Sequence, residues 1–339
     1  MRSTPRFSRA ERGAVLIWYV LFLLITLCFV SLGIDIAKLA TTRTQLQNAA
    51  DAAALAGASA IDFEAGTLSQ SLAIARAQQT AAMNQAFIDT PRPVALEASD
   101  VVFPTPTRVR VTVRREGGNA MVTTFAQVLG IRRLEMTATA TAEADTAKAV
   151  DCGLVPLGVT PNPDQDFVTG CSPGYTLKFG AGAGSQGNYG ALDLPECDGG
   201  PCAGRPETGA STFECLVRNG YCCPIEIGQQ LPTEPGNMAG PFRKAIEDRF
   251  EADSDRREGI CYDDYKGTGQ RIINVLITTD AGPGRTSVTV LGFSSFFISN
   301  KPGSGNDNGL IGQFLHRIVP GDGGGSSIGP VAYTLRLVQ

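Results

Sequence analysis

Residues 14–34 read AVLIWYVLFLLITLCFVSLGI, and residues 35–57 follow directly as DIAKLATTRTQLQNAADAAALAG. The first stretch carries no charge over its 21 residues, which is long enough for a helix to cross the roughly 30 Å apolar core of a bilayer. The second stretch is polar and alanine-rich, and its apolar residues recur near the helical period. We therefore predict one continuous helix that leaves the membrane after residue 34 and ends near Ala60.

Charges ahead of the apolar run indicate its orientation. Four arginines precede the run and only Glu11 opposes them, so the positive-inside rule places residues 1–13 in the cytoplasm and residues 14–34 across the membrane. A cleaved secretory signal peptide is the alternative, although such peptides have a shorter apolar core of about 7–15 residues. Both interpretations place the chain beyond residue 35 outside the cytoplasm.

Cysteine usage predicts an oxidising compartment for the C-terminal part of the chain. Cys28 lies in the apolar run and is interpreted as a small apolar residue. The other eight cysteines predict a disulfide framework whose connectivity stays open. Cys197 and Cys202 are close enough to form a short loop, whereas the adjacent Cys222 and Cys223 should each pair with a distant partner. The candidates are Cys152, Cys171, Cys197, Cys202, Cys215, Cys222, Cys223 and Cys261.

Composition argues against several functions. Residues 151–339 hold 21 acidic and 14 basic residues, a net charge of −7, which disfavours nucleic acid as a partner. Zinc is disfavoured because no pair of C-x-x-C elements occurs and His316 is the single histidine. The sequence also lacks a nucleophile elbow and a phosphate-binding loop motif. We therefore predict neither an enzyme nor a bound cofactor, and we interpret His316 as structural.

Acidic loop residues raise the question of calcium, which needs six to eight converging oxygen ligands. None of the acidic pairs fits the twelve-residue helix–loop–helix pattern, so we interpret them as solvated loop acids and predict no metal site. They are Asp164/Asp166, Asp253/Asp255, Asp263/Asp264 and the run Asn306-Asp307-Asn308.

The pattern between residues 60 and 149 predicts a helix and a small sheet. Pro104 should end a short strand, Gly130 should stop a helix, and residues 108–114 alternate valine with mostly arginine, as a half-buried strand does. In chain order we expect helix 67–88, strands 101–103 and 108–114, helix 120–129 and strand 134–144.

A cluster of arginines accompanies this sheet. One interpretation is contact with lipid headgroups or an acidic neighbouring subunit; the other, which we favour, is the solvated face of a half-buried sheet. The cluster comprises Arg108, Arg110, Arg114, Arg115, Arg132 and Arg133.

Residues 150–339 predict a mainly β domain. Its best helix covers residues 241–250, with Pro241 at a first-turn position, and the glycine-rich residues 180–187 are interpreted as a surface loop. The expected strands are 153–159, 175–179, 272–278, 287–298, 311–319 and 331–338. The whole chain is thus predicted to be α+β, with segments 1–13, 14–34, 35–149 and 150–339.

The N-terminal residues resemble a known family. The apolar run followed by LQNAADAAALA at residues 46–56 resembles the TadE/TadG-like proteins of bacterial Flp (tight adherence, Tad) pilus systems, and the resemblance extends over roughly residues 10–145. Processed members of the broader class carry glutamate at the fifth position after a glycine. Here Gly13 is followed at that position by Trp18, so a processing site between Gly13 and Ala14 lacks this feature. The metal-binding motif found in larger TadG proteins is also missing.

The resemblance implies a membrane-anchored component of a Flp/Tad-type pilus in the bacterial inner membrane, either an assembly factor or a minor pilin-like subunit. Its implied partners are the lipid bilayer and other Tad or pilin-like subunits, and Gly33 or Gly57 would let neighbours approach closely. Residues 150–339 would contact a surface ligand or partner in adhesion. The alternatives are a tethered or secreted adhesin without a pilus role and, disfavoured by the missing C-x-x-C and the single histidine, a periplasmic hydrolase or thiol oxidoreductase.

Overall fold

The computed structural model describes residues 9–86, 92–161, 167, 169–171, 175–179, 188–206, 209–234, 238–280, 286–303, 309–326 and 331–338. The chain divides into two compact units, neither of which is one continuous segment. Unit 1 comprises Met1–Ala60, Ser69–Ala142 and Leu337–Gln339, and unit 2 comprises Ile61–Leu68 and Glu143–Arg336. The division expected between residues 149 and 150 stays a prediction.

Helix α1 is the longest element. It spans Arg9–Ala58, which confirms the predicted continuous helix and corresponds to about 75 Å at 1.5 Å per residue. The elements that follow, up to residue 146, are β1 (Ile61–Asp62), β2 (Thr67–Leu68), α2 (Gln70–Met83), β3 (Gln85–Ala86), β4 (Arg92–Pro93), β5 (Val101–Thr105), β6 (Arg108–Arg115), β7 (Met121–Val122), β8 (Arg133–Leu134) and β9 (Met136–Thr146).

The core of unit 1 lies between α1, α2 and strands in the order β9-β6-β5. β6 alternates as predicted, with Val109, Val111 and Val113 fully buried. Arg115 is buried on the same face and donates from Nη2 to the carbonyl of Ala86 at 2.5 Å. The interpretation of the arginines as a solvated face is therefore wrong for Arg115.

Two expected elements differ in extent. β5 continues through Pro104 to Thr105, because it is the edge strand and its pairing with β6 is irregular between Val102 and Thr105; a proline, which lacks an N–H, is tolerated there. α2 begins at Gln70 and ends at Met83, so it is shorter than expected. The last residues of the expected helix, 87 and 88, lie outside the described residues.

Unit 2 is mainly β, and its helix α3 was not predicted. The best predicted helix is confirmed and extends slightly further at both ends as α4. The elements are β10 (Ala149–Val150), β11 (Leu154–Val159), β12 (Tyr175–Phe179), β13 (Asn188–Ala191), α3 (Ala210–Asn219), β14 (Ile225–Glu226), β15 (Gln230–Pro232), α4 (Ala239–Ala252), β16 (Ile272–Thr278), β17 (Ser287–Ile298), β18 (Gly309–Leu315), β19 (Arg317–Ile318) and β20 (Ala332–Val338).

The main sheet of unit 2 has the strand order β15-β17-β16-β11-β13-β12-β18. β17 also pairs with β18, which closes six of these strands into a ring. Phe296 and Phe314 pack in its largest apolar cluster together with Phe242 and Phe250 of α4. The α+β class with a mainly β C-terminal part is thereby confirmed. β16 and β17 have the bounds predicted, whereas the single strand expected over residues 311–319 is interrupted at His316.

Candidate functional site

The N-terminal part of α1 exposes its apolar side chains. From Val15 to Ile36, the large apolar side chains are between 41 and 72% exposed. Such a surface is strongly unfavourable in water and is typical of a membrane or an interface. By length and composition, one helix among the described residues could cross a membrane. It lies near the N-terminus, where a signal sequence has the same properties, so the helix is a candidate membrane anchor.

The C-terminal part of α1 is buried by its own unit. Small side chains dominate its contact face, so α2 and β6 can approach closely. On α2, the small residues Ala73, Ala77 and Ala81 are buried as well. The buried apolar side chains of α1 are Leu46, Ala49, Ala50, Ala53, Ala54 and Ala58. One helix is thus apolar and exposed at one end and packed at the other.

Asp35 marks the change between the two parts of α1. It is 3% exposed, and its carboxylate accepts hydrogen bonds from the backbone N–H groups of Thr124 (2.8 Å), Phe125 (2.8 Å) and Ala126 (2.7 Å). These groups belong to residues 121–134, here called the junction hairpin. Charge-assisted hydrogen bonds to a carboxylate are among the stronger ones in proteins, so Asp35 fixes the junction hairpin to the first turn of α1 beyond the apolar run.

Two further contacts hold the junction hairpin. Lys38 donates from Nζ to the hydroxyl of Thr124 at 2.8 Å, and the hydroxyl of Thr42 lies 3.8 Å from the sulfur of Met121. Asp35, Lys38 and Thr42 succeed one another at three- and four-residue spacing, so all three lie on one side of the helix. The junction hairpin therefore runs along the base of the packed part of α1.

The junction hairpin replaces the helix expected over residues 120–129, and that prediction is wrong. β7 and β8 pair antiparallel through Met121 and Leu134, and a 3₁₀ turn, Ala126–Leu129, joins them. Gly130 ends this turn with φ 86°, so the stop predicted there is confirmed. The apolar residues do not share one buried face: Met121 and Ala126 are buried, whereas Val122, Phe125 and Val128 are exposed.

The two glycines expected to admit neighbouring helices, Gly33 and Gly57, differ in the space around them. A methyl group at Gly57 would lie 3.2 Å from Cγ1 of Val109, and Gly57 is buried. A methyl group at Gly33 would meet no atom within 4 Å. Gly57 therefore serves packing within unit 1, and the idea that it admits a neighbour is wrong. Gly33 stays open on the exposed part of α1.

All eight candidate cysteines of unit 2 are paired. The prediction of a Cys197–Cys202 loop is wrong, because each of the two bonds a different partner, whereas the adjacent Cys222 and Cys223 each bond a distant cysteine. The pairs are Cys152–Cys222, Cys171–Cys261, Cys197–Cys223 and Cys202–Cys215. Three of the four bridges thus tie the segment 197–223 together or to the start of β11.

Neither of two clefts is a conventional ligand pocket. A cleft beside Cys197 and Cys202 measures about 30 Å³, which is room for about one water molecule. A shallow groove of about 520 Å³ on unit 1 is lined by Gln47, Asp51, Arg110, residues 139–141 of β9 and residues 337–338 of β20. Five of its eight lining residues are polar or charged, whereas small-molecule sites are mostly apolar with a few polar groups.

The acidic pair Asp253/Asp255 serves the protein's own hydrogen bonds. Asp253 accepts from the Tyr265 hydroxyl and from the N–H of Asp255 at 2.9 Å. The Asp255 carboxylate pairs with the Arg257 guanidinium at 2.7 Å and accepts from the N–H of Lys266 at 3.1 Å. The prediction of solvated loop acids is therefore wrong for this pair. Asp164, Asp166 and residues 306–308 lie outside the described residues.

These bonds shift the acidity of the groups that make them. Burial alone would raise the pKa of Asp253, but the bonds from Tyr265 and from backbone N–H groups bring it below its ordinary value. The Arg257 guanidinium and the Lys266 N–H hold the pKa of Asp255 well below its usual range. Burial and the bond to Asp253 raise the pKa of Tyr265 to about 12. Both carboxylates and the phenol are thus held in single protonation states near neutral pH.

Arg271, which sequence reasoning missed, lies beside this network and is fully buried. Its guanidinium donates to the carbonyls of Ile298 and Ser299, each at 2.8 Å from Nη2, and its Cζ lies 4.3 Å and 4.8 Å from the ring centres of Phe250 and Phe297. An isolated arginine before a strand gives no sequence signal for such a position. The arrangement supports the strands around it and presents no open reactive group.

His316 lies between β18 and β19 and stacks on Phe63, with the ring centroids 5.7 Å apart. Among the described residues, no group of three histidine, cysteine, aspartate or glutamate side chains is placed to hold a metal ion. The structural interpretation of His316 accords with its ring stacking.

Comparison with known proteins identifies the class of the N-terminal part: a pilus-assembly domain. Residues 13–60 match the family model described as putative Flp pilus-assembly TadE/G-like. The chain therefore carries a TadE/G-like Flp pilus-assembly domain, which confirms the resemblance in this region, and a C-terminal module with four disulfides. No curated protein and no solved structure matches the chain. The resemblance suggested for residues 61–145 stays a prediction.

Proposed function

We propose that this protein is a membrane-anchored component of a bacterial Flp/Tad-type pilus, acting either as an assembly factor or as a minor pilin-like subunit. The observation that supports this proposal is helix α1, because the matched family region, residues 13–60, includes both its exposed apolar part and its packed part. A helix of this kind holds the protein in the bilayer by residues 14–34 and carries its folded unit by residues 35–58. The role requires no catalysis.

The proposed topology places residues 1–13 in the cytoplasm, residues 14–34 across the membrane, and the rest of unit 1 with unit 2 outside, in the periplasm or at the cell surface. Arg9 and Arg12 precede the apolar run, which favours a cytoplasmic N-terminus. The four disulfides of unit 2 suit an oxidising compartment. Unit 2 would then meet a surface ligand or a partner, and Gly33 would admit a neighbouring pilin-like helix.

The first experiment separates the assembly factor from the pilus subunit. Surface filaments are sheared from native cells, and the N-terminus of this protein is mapped by mass spectrometry in filament and membrane fractions. A chain in the filaments that begins at Ala14 identifies a processed minor pilin, with cleavage after Gly13. An uncut chain confined to the membrane identifies an anchor or assembly factor and overturns the subunit form of the proposal.

Deletion of the gene tests the pilus role itself. We expect filaments to be lost or shortened, and expression of the full chain should restore them. Unchanged filaments together with reduced attachment of cells would favour the competing function, a tethered adhesin without a pilus role. A soluble chain found only in the medium would show that the apolar run is a cleaved signal peptide.

A further inference from the structure

We infer that the junction hairpin is a second membrane contact: its exposed apolar side chains enter the headgroup region of the leaflet from which α1 emerges. This inference rests on the proposed membrane anchoring by residues 14–34. It concerns residues 121–134, which lie outside the matched family region 13–60 in the sequence. The inference assigns the lipid surface as the cover of an apolar patch that the fold leaves exposed.

The patch consists of side chains that the fold of unit 1 leaves exposed. Val128, at the tip, is 88% exposed, and Val122, Phe125 and Ile131 are 56, 39 and 47% exposed. All four belong to a segment of ten residues, and none is needed to fill the core. A soluble surface rarely concentrates apolar side chains in this way unless another phase or partner covers them.

The level of the patch along α1 decides what covers it. Asp35 follows the apolar run directly and binds the N–H groups of Thr124, Phe125 and Ala126. Lys38 and Thr42 also contact the junction hairpin, so the attachment spans helix positions up to about 12 Å beyond residue 34 at 1.5 Å per residue. Headgroups extend about 5–8 Å beyond each side of the apolar core. The turn of the hairpin, attached at Asp35 and Lys38 about 1.5 and 6 Å beyond residue 34, is therefore held at the depth of the bilayer interface. The end at Met121, attached at Thr42, lies further from the bilayer.

The chemistry of the patch suits that depth. Aliphatic side chains and an aromatic ring enter the boundary between headgroups and acyl chains, and cationic side chains remain at the phosphates. Arg132 and Arg133 follow Ile131 directly and are exposed. Arg133 also donates to the carbonyl of Gly117 at 2.8 Å. Ile36, also exposed, extends the apolar surface of α1 to the same level.

A single tryptophan reports directly on this contact. In the full-length chain, Trp18→Phe removes the only native tryptophan, and Val128→Trp or, as the matched control, Val102→Trp introduces one. Val102 is 53% exposed and pairs with Arg110, beside Val109. Val109 packs on Gly57, about 35 Å along α1 from residue 34. The chains are reconstituted in phosphatidylethanolamine–phosphatidylglycerol vesicles with and without lipids that carry a quencher at the headgroup end of the acyl chain.

We expect the tryptophan at position 128 to emit at shorter wavelength than the one at 102 and to lose at least half its intensity in quencher vesicles, while the tryptophan at 102 is unaffected. Water-like emission at 128 without quenching overturns the inference. Blue-shifted emission without quenching also overturns it and identifies a second protein copy as the cover. Flotation of the chain with vesicles after carbonate washing tests the anchoring separately: a chain that does not float contradicts the proposed function, whereas a floating chain with an unquenched tryptophan contradicts only this inference.

Discussion

The carboxylate of Asp35 accepts a hydrogen bond from the backbone N–H of Ala126 at 2.7 Å, across 91 positions of the sequence. Together with the bonds from Thr124 and Phe125, it satisfies three backbone donors at the start of a 3₁₀ turn. A buried donor that loses its partner costs more than the hydrogen bond contributes in net terms. The position of the junction hairpin therefore depends on one carboxylate at the end of the apolar run.

Asp35→Ala should release the junction hairpin without unfolding unit 2. Loss of the acceptor leaves the three N–H groups to find other partners, and we expect local stability to fall by about 2 kcal/mol, since bonds to charged groups contribute ~1.5–3 kcal/mol. Hydrogen exchange of residues 124–126, followed by mass spectrometry in detergent, should accelerate roughly 30-fold, the factor equivalent to that energy.

Asp51→Ala is the matched control for this measurement. Asp51 is also a carboxylate on α1, but its hydrogen bond is an exposed one to Gln47, at 2.9 Å. Exchange of residues 124–126 should be the same as in the unaltered chain. Equal acceleration in both variants would show that the effect comes from α1 as a whole and not from Asp35.

Substitution of the two glycines of α1 should have opposite consequences. Gly57→Leu places a side chain where a methyl group already lies 3.2 Å from Val109, and overpacking of a filled core typically costs about 1–3 kcal/mol. Gly33→Leu meets no atom within 4 Å and should leave the thermal unfolding of unit 1 unchanged. Circular dichroism in detergent measures both.

The same pair of variants separates folding from assembly. If Gly33 admits a neighbouring helix, Gly33→Leu should reduce crosslinking between membrane helices in cells while the protein remains folded. The assignment of Gly57 to packing and Gly33 to the open surface would be contradicted in two cases. One is that Gly33→Leu lowers the unfolding temperature, and the other is that Gly57→Leu leaves it unchanged.

Some elements were predictable because local pattern alone decides them. The long apolar run fixes α1, and the β-branched stretches that form β16 and β17 have no competing helical period. α3 was missed although Phe213, Leu216 and Val217 are buried at helical spacing, because glycines and cysteines surround that short signal. All four elements, α1, α3, β16 and β17, depend on side chains near each other in sequence.

The junction hairpin and the disulfide pairing were not predictable, since both depend on contacts distant in sequence. Nothing in residues 120–129 indicates that Asp35 provides the acceptor for their N–H groups. Cys197 lies five positions from Cys202 yet bonds Cys223, because the fold and not the chain distance brings the sulfurs together. The hydrogen bonds of Arg271 to Ile298 and Ser299 were not predictable for the same reason.

Removal of a single disulfide should destabilise unit 2 more when the bridge closes a longer loop. The Cys171–Cys261 bridge closes a separation of 90 residues and Cys202–Cys215 one of 13. The chain-entropy relation gives about 4.6 and about 3 kcal/mol for these separations. We expect the double alanine variant of the longer bridge to unfold at the lower urea concentration.

The pairing itself is checked by digestion without reduction and mass spectrometry of the linked peptides. Cys28→Ala is the control and should change neither the peptide map nor the urea midpoint, because Cys28 is unpaired and exposed on α1. A linked peptide that joins Cys197 to Cys202 would contradict the pairing described.

Acid should destabilise unit 2 through Asp253 and Asp255. The pKa of each carboxyl is lower in the folded state than its ordinary value, which is about 3.9 in an unfolded chain. A depressed pKa contributes stability that is fully present above the unfolded value and is lost as the pH falls through the folded value. The urea midpoint, followed by near-ultraviolet circular dichroism, should be constant above about pH 5 and fall steadily from there to pH 2.

Asp255→Asn distinguishes this cause from general acid unfolding. The variant loses the ion pair with Arg257, so its midpoint should be lower than that of the unaltered chain at pH 7, and the difference should shrink as the pH falls, because protonation removes the same pair from both proteins. Asp263→Asn, at an exposed carboxyl in the adjacent 3₁₀ turn, is the matched control and should follow the unaltered chain at every pH. A constant difference between Asp255→Asn and the unaltered chain from pH 7 to pH 2 would mean that the Asp255 carboxylate contributes through shape rather than charge.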